Sequence, residues 1–281
     1  MKNLVVNNIG VMQGRLLPKF QKRFQAFPVY SWSREFKLAK SFKLKNIEFI
    51  FDYDLYRKNP LFNLHGIKKI KYLSKNTSVY VHSICADYFM EKPIFSEGIQ
   101  FLINKLVFKT LIKHASFLGV KEVIIPCVDN SSLDNEQKKS LAIRFLNQIA
   151  LYLKKYKINI ALETDLNPLD FINFIKKINS KNIRVNYDIG NSASLGFDMH
   201  KEIKSYGHLI SNIHIKDRKL NGGSCILGTG DANLEKFFSY LHKIPKNYLL
   251  IMQCYRDDEG VSIFKDQLKC LKRVLNGKRY F

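Results

Sequence analysis

The chain has 281 residues, of which 46% are hydrophobic, and this length suits one α/β barrel, which takes about 250 residues. No apolar run approaches the ~20 residues that cross a bilayer, and the N-terminus lacks the hydrophobic core of a signal peptide, so a cytoplasmic protein without a membrane partner is expected. The net charge of +22 comes from lysines spread over nearly every helical segment, which indicates a solvated surface more than a nucleic-acid-binding tract.

Short apolar runs rich in Ile and Val alternate with longer segments at helical spacing along the whole chain. The pattern predicts eight strands and eight helices. In chain order they are strand Asn8–Met12, helix Ser33–Phe42, strand Asn46–Phe51, helix Gly66–Lys75, strand Ser78–Ile84, helix Gly98–Leu118, strand Glu122–Cys127, helix Leu133–Tyr156, strand Ile158–Glu163, helix Asp170–Ile178, strand Ile183–Asp188, helix Met199–Tyr206, strand Ser211–Ile215, helix Leu234–Leu241, strand Tyr248–Gln253 and helix Ile263–Leu275.

The alternation of strands and helices predicts the fold class. Strands separated by helices run parallel and are joined by right-handed crossovers, and their near-continuous apolar character indicates that both faces are covered. Eight such units close into a (β/α)8 TIM barrel, here one domain over residues 1–281. A doubly wound open sheet is the alternative, but no G-x-G-x-x-G motif follows the first strand.

The last four predicted strands end in polar side chains, which are Glu163, Asp188, His214 and Gln253. In a parallel barrel the carboxyl ends of the strands share one rim, so these side chains can converge. Two carboxylates, an imidazole and an amide oxygen suit one divalent ion, Mn²⁺, Mg²⁺, Co²⁺ or Zn²⁺. The five scattered cysteines form no C-x-x-C pair, which argues against a thiolate site and a disulfide framework.

These motifs also carry a resemblance to a known family. Leu-Glu at Glu163, Asp-x-Gly-Asn from Asp188, His-x-Lys-Asp from His214 and a polar residue ending strand eight look like the xylose isomerase-like TIM barrels. Met-Gln-Gly-Arg-Leu over residues 12–16 is similar to openings in bacterial sugar phosphate isomerases and epimerases of this family. The family also includes inosose dehydratases and apurinic endonucleases. The resemblance implies a sugar or sugar phosphate isomerase or epimerase.

The resemblance further implies a mechanism. One divalent ion holds two sugar oxygens and polarises the carbonyl, a carboxylate removes the neighbouring proton, and a second acid returns it to the enediolate. By position Glu163 matches the ligand and base on strand five, and Asp188 and His214 match the ligands on strands six and seven. The partner is then a small sugar or sugar phosphate, and the chain is a candidate for assembly into a homo-oligomer.

Two positions depart from the family pattern. Gln253 stands where many epimerases have a glutamate that is both ligand and second acid, and an amide does not accept a proton at ordinary pH. Another group must then return the proton, with His82, Asp87 and Lys216 as candidates, or the reaction is a one-base isomerisation or a dehydration. A non-catalytic sugar-binding barrel is a further alternative. Asn191 replaces a frequent histidine, which we expect to change substrate specificity more than metal binding.

The apurinic endonuclease alternative is disfavoured. The resemblance implies three zinc ions for that branch, held by roughly nine ligands, and too few ligands remain here, with Asn191 in place of a histidine and Pro126-Cys127 ending strand four. No nucleic-acid partner is therefore expected despite the positive charge.

Several further residues are predicted to contact the substrate. Glycines 222, 223, 228 and 230 follow strand seven, where barrels often bind phosphate through backbone N–H groups, although the glycines can equally serve tight turns. The sequence does not decide whether Glu48 is a carboxylate of the core or one that faces the substrate. The expected substrate-binding residues are Gln13, Arg15, Asp87, Asn191, Arg218 and Arg256, and the expected catalytic residues are Glu163, Lys216 and His82.

Overall fold

The computed structural model describes residues 9–240, 243–245 and 248–277. Eight parallel strands form a closed barrel, and a small antiparallel hairpin follows the seventh. The fold is therefore a single-domain (β/α)8 TIM barrel, and the predicted fold class is confirmed. The barrel strands are β1 Ile9–Met12, β2 Asn46–Ile50, β3 Ser83–Cys85, β4 Glu122–Cys127, β5 Asn159–Thr164, β6 Ile183–Asp188, β7 Ile210–Ile215 and β10 Leu249–Met252, and the hairpin strands are β8 Asp217–Arg218 and β9 Ser224–Cys225.

Helices surround the barrel and carry the connections between its strands. The α-helices are α1 Glu35–Ser41, α2 Leu64–Thr77, α3 Tyr88–Glu91, α4 Gly98–Leu118, α5 Glu136–Tyr156, α6 Pro168–Lys176, α7 Ile189–Ser194, α8 Met199–Tyr206, α9 Leu234–Ser239 and α10 Val261–Leu275. Short 3₁₀ helices lie at Phe20–Lys22, Trp32–Arg34, Tyr56–Lys58, Pro60–Phe62, Asp129–Ser131 and Gly207–Leu209. In the described residues, no helix has the length and apolar character that a membrane span requires.

Closure of the barrel depends on its first and last strands. β1 pairs in parallel with β10 on one side, with Gly10 opposite Ile251, and with β2 on the other. Gly10 is needed at this seam, because a Cβ there would lie 2.8 Å from side-chain atoms of both Asn46 and Ile251. Nearly all residues of the barrel strands are buried, and polar side chains such as Glu48, Asn212 and His214 contact one another inside the barrel, so it is a packed core and not a pore.

Side-chain caps set the starts of several helices. Asn135 accepts a hydrogen bond from the amide of Lys138 at the start of α5, and Asn167 caps α6, where Pro168 occupies the first helical position. Gly119 ends α4 with φ of 75°, as its position in the sequence predicts. Asp188 caps α7, so its backbone position and one carboxylate oxygen are fixed by the helix that follows.

All eight predicted strands are present, but one is displaced. The third begins at Ser83 and not at Ser78, because the apolar run from residue 78 forms only an isolated bridge between Tyr80 and Asn46 before the ladder starts. The β8–β9 hairpin and the short helices α3 and α7 were not predicted. The predicted ends at Asn8 and Leu241 lie outside the described residues.

Candidate metal centre and active-site pocket

Three of the four predicted metal ligands converge at the carboxyl ends of β5, β6 and β7. Glu163, Asp188 and His214 each offer an atom within 4.8 Å of the others, and all three are buried. The Nδ1 atom of His214 lies 3.4 Å from Glu163 Oε2 and 3.9 Å from Asp188 Oδ2. Ligand atoms about 2.1 Å from a shared ion lie roughly 3–4 Å apart, so this donor set fits a divalent cation.

Glu48 in β2 determines which nitrogen of His214 faces the site. Its Oε1 lies 2.7 Å from Nε2 of the imidazole, and its Oε2 accepts hydrogen bonds from Ser83 and Asn212. Nδ1 is therefore directed towards Glu163 and Asp188. Burial alone would lower the pKa of His214, but the carboxylates of Glu48 and Glu163 raise it to about 10. A carboxylate behind a ligating histidine is a common way to orient the ring.

Two asparagines hold the carboxylate of Glu163. Asn186 donates to Oε2 at 2.6 Å and Asn191 donates to Oε1 at 2.7 Å. Burial alone would raise the pKa of Glu163, but the hydrogen bond and charge of His214, together with the charge of Lys216, lower it. The side chain is consequently an oriented carboxylate, as both a ligand and a base require.

Lys216 and Gln253 complete the polar group. The Nζ of Lys216 lies 3.1 Å from Asp188 Oδ2, 3.1 Å from the amide oxygen of Asn191 and 3.5 Å from the amide oxygen of Gln253. Gln253 itself donates to Gln25 at 2.9 Å, which fixes the orientation of its amide. The structure thus places an ammonium group between the metal-ligand cluster and the end of β10.

A cavity of about 390 Å³ opens above this cluster. It brings together six of the predicted site residues, which are Glu163, Lys216, Gln253, Asp87, Asn191 and Arg218. The carboxylate of Asp87 accepts hydrogen bonds from Gln25 and Cys85, and burial raises its pKa to about 6. Arg218 donates to Asn191 at 2.8 Å, so it is coupled to the group that orients Glu163.

Three predicted substrate contacts lie elsewhere, and the structure gives them other partners. Arg15 is buried and donates to the carbonyls of Cys254 and Phe24 and to the side chain of Gln25. Arg256 donates to the carbonyl of Leu17. These guanidinium groups tie the loops after β1 and β10 together.

Gln13 is the third of these residues. Its side-chain oxygen accepts from the amide of Ile50 in β2. It is fully buried and therefore joins the loop after β1 to the neighbouring strand, and it does not line the cavity.

The placement of His82 at the rim was wrong. His82 precedes β3 at the amino end of the barrel, with Nδ1 2.5 Å from the side-chain oxygen of Asn46 and its ring stacked on Tyr80. Burial is the main cause that lowers the pKa of this imidazole, and the positive charge of Lys121 lowers it further. The error has a physical cause, since the strand begins at Ser83, five residues later than its pattern predicted, and its carboxyl end is Cys85.

The glycines after β7 also have a structural role. Asp217 is fully buried, and its carboxylate accepts hydrogen bonds from the amides of Gly228, Gly230 and Ala232 at 2.8, 2.9 and 3.0 Å. The amides of Gly228 and Gly230 are among the donors that the sequence offered for a phosphate, and Asp217 accepts from both. Gly230 is needed for close packing, because a Cβ at this position would lie 2.0 Å from Asp217 Oδ1.

Sequence reasoning left Glu48 undecided and missed Asn186 and Gln25. Asn186 lies two positions before Asp188 in the same strand, so the period of two along a strand places both side chains on one face and could have identified it. The position of Gln25, in the long loop after β1, carries no periodic signal. Its contacts with Asp87, Arg15 and Gln253 depend on the fold of that loop.

The fold and this cluster define a parallel TIM barrel with a Glu-Asp-His group at the carboxyl-terminal rim of its strands. The family model described as xylose isomerase-like TIM barrel matches residues 36–274. The chain belongs to this family, and the resemblance inferred from its motifs is confirmed. No curated protein matches the chain in sequence.

Solved structures share the fold at low sequence identity. The IolI protein with a bound zinc atom superimposes with a TM-score of 0.73 at 16% identity, covering 98% of this chain and 99% of that one. The 3-keto-D-glucoside 4-epimerase YcjR of E. coli gives 0.71 at 13%, covering 94% and 98%. D-psicose 3-epimerase of Clostridium cellulolyticum H10, solved with D-tagatose, gives 0.70 at 13%, covering 97% and 98%.

Proposed function

We propose that the protein is a divalent-metal-dependent isomerase or epimerase of a sugar or sugar phosphate that works through an enediolate. The observation that carries the proposal is the convergence of Glu163, Asp188 and His214 within 4.8 Å of one another, with Glu163 also lining an open cavity. The epimerases among the similar structures support the reaction class, and the zinc-bound relative supports the metal.

Glu163, Asp188 and His214 would hold the ion, with the amide oxygen of Gln253 as a fourth, neutral ligand. When bound, a divalent ion of this kind (Mn²⁺, Mg²⁺, Co²⁺ or Zn²⁺) supplies Lewis-acid polarisation of the sugar carbonyl. We place the protein in the cytoplasm, which the five cysteines support because none of them forms a disulfide.

Glu163 is the proposed base that removes the proton next to the carbonyl. The hydrogen bonds from Asn186 and Asn191 fix the plane of its carboxylate, so little reorganisation is needed before proton transfer. Asn191, Arg218 and Asp87 are proposed to bind sugar hydroxyl groups, since all three line the cavity.

Lys216 is the proposed group that returns the proton. Gln253 cannot do so, and His82 lies at the opposite end of the barrel. The ammonium of Lys216 is directed into the cavity beside Asp188 and carries a proton to donate. Asp87 is the second candidate, on the other side of the same cavity.

Dehydration of a keto-sugar or inosose is the second candidate function. It is favoured by the combination of one oriented carboxylate, Glu163, with an ammonium donor, Lys216, since a lyase must take one proton and protonate one leaving hydroxyl. Solvent deuterium in a product that keeps all its oxygens indicates isomerisation or epimerisation. Loss of water indicates the lyase.

The first experiment measures metal content and proton exchange together. Wild-type protein purified without chelator is expected to hold about one divalent ion per chain, and the Glu163→Ala/His214→Ala variant is expected to hold none, by ICP-MS. A panel of sugars is then incubated in D₂O with each protein. Glu122→Gln is the control, because this buried barrel carboxylate does not belong to the ligand cluster. No metal in the wild type after soaking would overturn the proposal and favour a non-catalytic barrel.

A further inference from the structure

We propose that the substrate of this site is an uncharged sugar, without a phosphate or carboxylate group. The inference rests on the proposed function and narrows its substrate class. It depends on the charge of the cavity walls, on the partners of the cations in those walls and on the use of the loop amides after β7.

The walls of the cavity carry an excess of negative charge on a protein whose net charge is +22. Three cations line it, Arg23, Lys216 and Arg218. Six acidic residues also line it, which are Asp52, Asp87, Glu91, Asp129, Glu163 and Asp165. The charge of a bound divalent ion would not reverse this excess of negative charge. A phosphate monoester brings about two further negative charges at neutral pH and would meet repulsion on several sides.

Two of the three cations are already neutralised by carboxylates. Arg23 lies 3.0 Å from Asp52 and 2.8 Å from Asp54, and Lys216 lies 3.1 Å from Asp188. Arg218 donates through Nε to the carbonyl of Gly222 and through Nη1 to Asn191, so two of its three nitrogens are engaged. The cavity therefore lacks the group of convergent free cations that holds a phosphate in charge-assisted pairs.

The backbone amides after β7 could bind a phosphate in place of cationic side chains, but three of them already have another partner. In many barrels the backbone amides of this region bind phosphate. Here the amides of Gly228, Gly230 and Ala232 donate to the buried carboxylate of Asp217. An anion bound at these three amides would have to displace a fully buried aspartate from its hydrogen bonds. The loop thus uses these amides to hold one of the protein's own carboxylates.

The same walls suit sugar hydroxyl groups. A hydroxyl donates a hydrogen bond to a carboxylate, and such charge-assisted bonds are stronger than those between neutral groups. Asp129 and Asp165 are placed on the β4 and β5 side of the cavity, and Asp52 and Asp87 on the β2 and β3 side. A polyol between the two pairs would find acceptors on both sides.

The test uses inorganic phosphate, which requires no knowledge of the sugar. Calorimetric titration of the metal-loaded wild type is expected to show binding at least about ten-fold weaker than that of Asp129→Asn/Asp165→Asn, because two repelling charges have been removed from the wall. Both substitutions keep the shape of the side chain and the acceptor that Asp165 offers Ser132. The control, Glu235→Gln/Asp266→Asn, changes the net charge equally outside the cavity and should behave as wild type. Wild-type affinity equal to that of the cavity variant would overturn the inference.

A second titration compares neutral ketohexoses and ketopentoses with their phosphate esters. Each neutral sugar that binds is expected to bind at least about ten-fold more tightly than its ester. A phosphate ester that binds and exchanges its proton better than the neutral sugar would overturn the inference and leave the proposed function intact. If no member of either set exchanges a proton, the proposed function fails, and the phosphate titration still decides which ligand charge the cavity accepts.

Discussion

Glu48 acts on the site only through His214. Its carboxylate holds Nε2 at 2.7 Å and leaves Nδ1 for the cluster. We predict that Glu48→Gln lowers the affinity for a divalent ion about ten- to hundred-fold, since the ring loses its charged partner and its fixed tautomer. Metal titration followed by calorimetry measures the change.

The matched control for Glu48 is Glu122→Gln, which removes another buried barrel carboxylate that does not contact His214. Its metal affinity should equal that of the wild type. If both variants lose affinity equally, the effect comes from general loss of barrel charge and not from orientation of the ring. Thermal denaturation of each variant shows whether the fold has been kept.

A substitution of Lys216 distinguishes metal binding from the return of the proton to the substrate. We predict that Lys216→Gln lowers the rate of deuterium incorporation about 10²- to 10⁴-fold, the usual range for loss of a general acid. Metal content should remain at the wild-type level, because Lys216 is not part of the ligand cluster. A variant that exchanges protons at the wild-type rate would assign the second proton transfer to Asp87.

The sequence predicts single residues well where a strand end fixes their direction. Glu163, Asp188 and His214 each lie within one residue of the carboxyl end of three consecutive barrel strands, so topology brings them together. Arg15 and Arg256 follow strands too, but each has a long side chain in a loop, and its direction depends on which carbonyls the folded loop presents. Such contacts exist only in the tertiary structure and leave no periodic pattern.

At the scale of elements, Asp217 organises the loop that joins β9 to α9. We predict that Gly230→Ala lowers the free energy of unfolding by about 2 kcal/mol, since its methyl group would displace the Asp217 carboxylate and strain three hydrogen bonds. Urea denaturation measures this value. The control is Gly223→Ala in the turn between β8 and β9, because a Cβ on Gly223 meets nothing within 4 Å. Equal losses in the two variants would contradict the packing argument.

The elements that the sequence failed to predict are short. β8 and β9 have two residues each, and α3 and α7 have four and six residues. Periodicity needs longer windows than these to stand out from chance. The third barrel strand shows the complementary difficulty, because Val79 and Val81 continue the apolar alternation although the hydrogen-bonded ladder starts only at Ser83.

At the scale of the whole molecule, we expect stability to depend on pH through the carboxyl of Glu122 at the amino end of the barrel. Burial raises the pKa of Glu122 from 4.5 to about 7. The folded protein therefore keeps a proton that the unfolded chain loses, and this stabilisation is complete below pH 4.5 and lost as pH rises through about 7. We predict that wild-type stability falls by roughly 1–3 kcal/mol more between pH 5 and pH 8 than that of Glu122→Gln.

Urea denaturation of both proteins at the two pH values tests this prediction for Glu122. Glu235→Gln serves as the control, because its carboxylate is exposed on α9 and should leave the wild-type pH dependence unchanged. Parallel loss of stability in wild type and Glu122→Gln would assign the pH dependence to other buried carboxyls, of which Glu35 is the first candidate, since burial raises its pKa to about 7 as well.

The seam between β1 and β10 has a consequence for the smallest piece of this chain that can fold. The family match begins at residue 36, yet β1 lies before it and pairs with both β2 and β10. A polypeptide starting at residue 36 would leave two adjacent rows of backbone N–H and C=O groups without partners. Open edges of this kind recruit strands from other molecules, so such a fragment should aggregate more readily than the full chain.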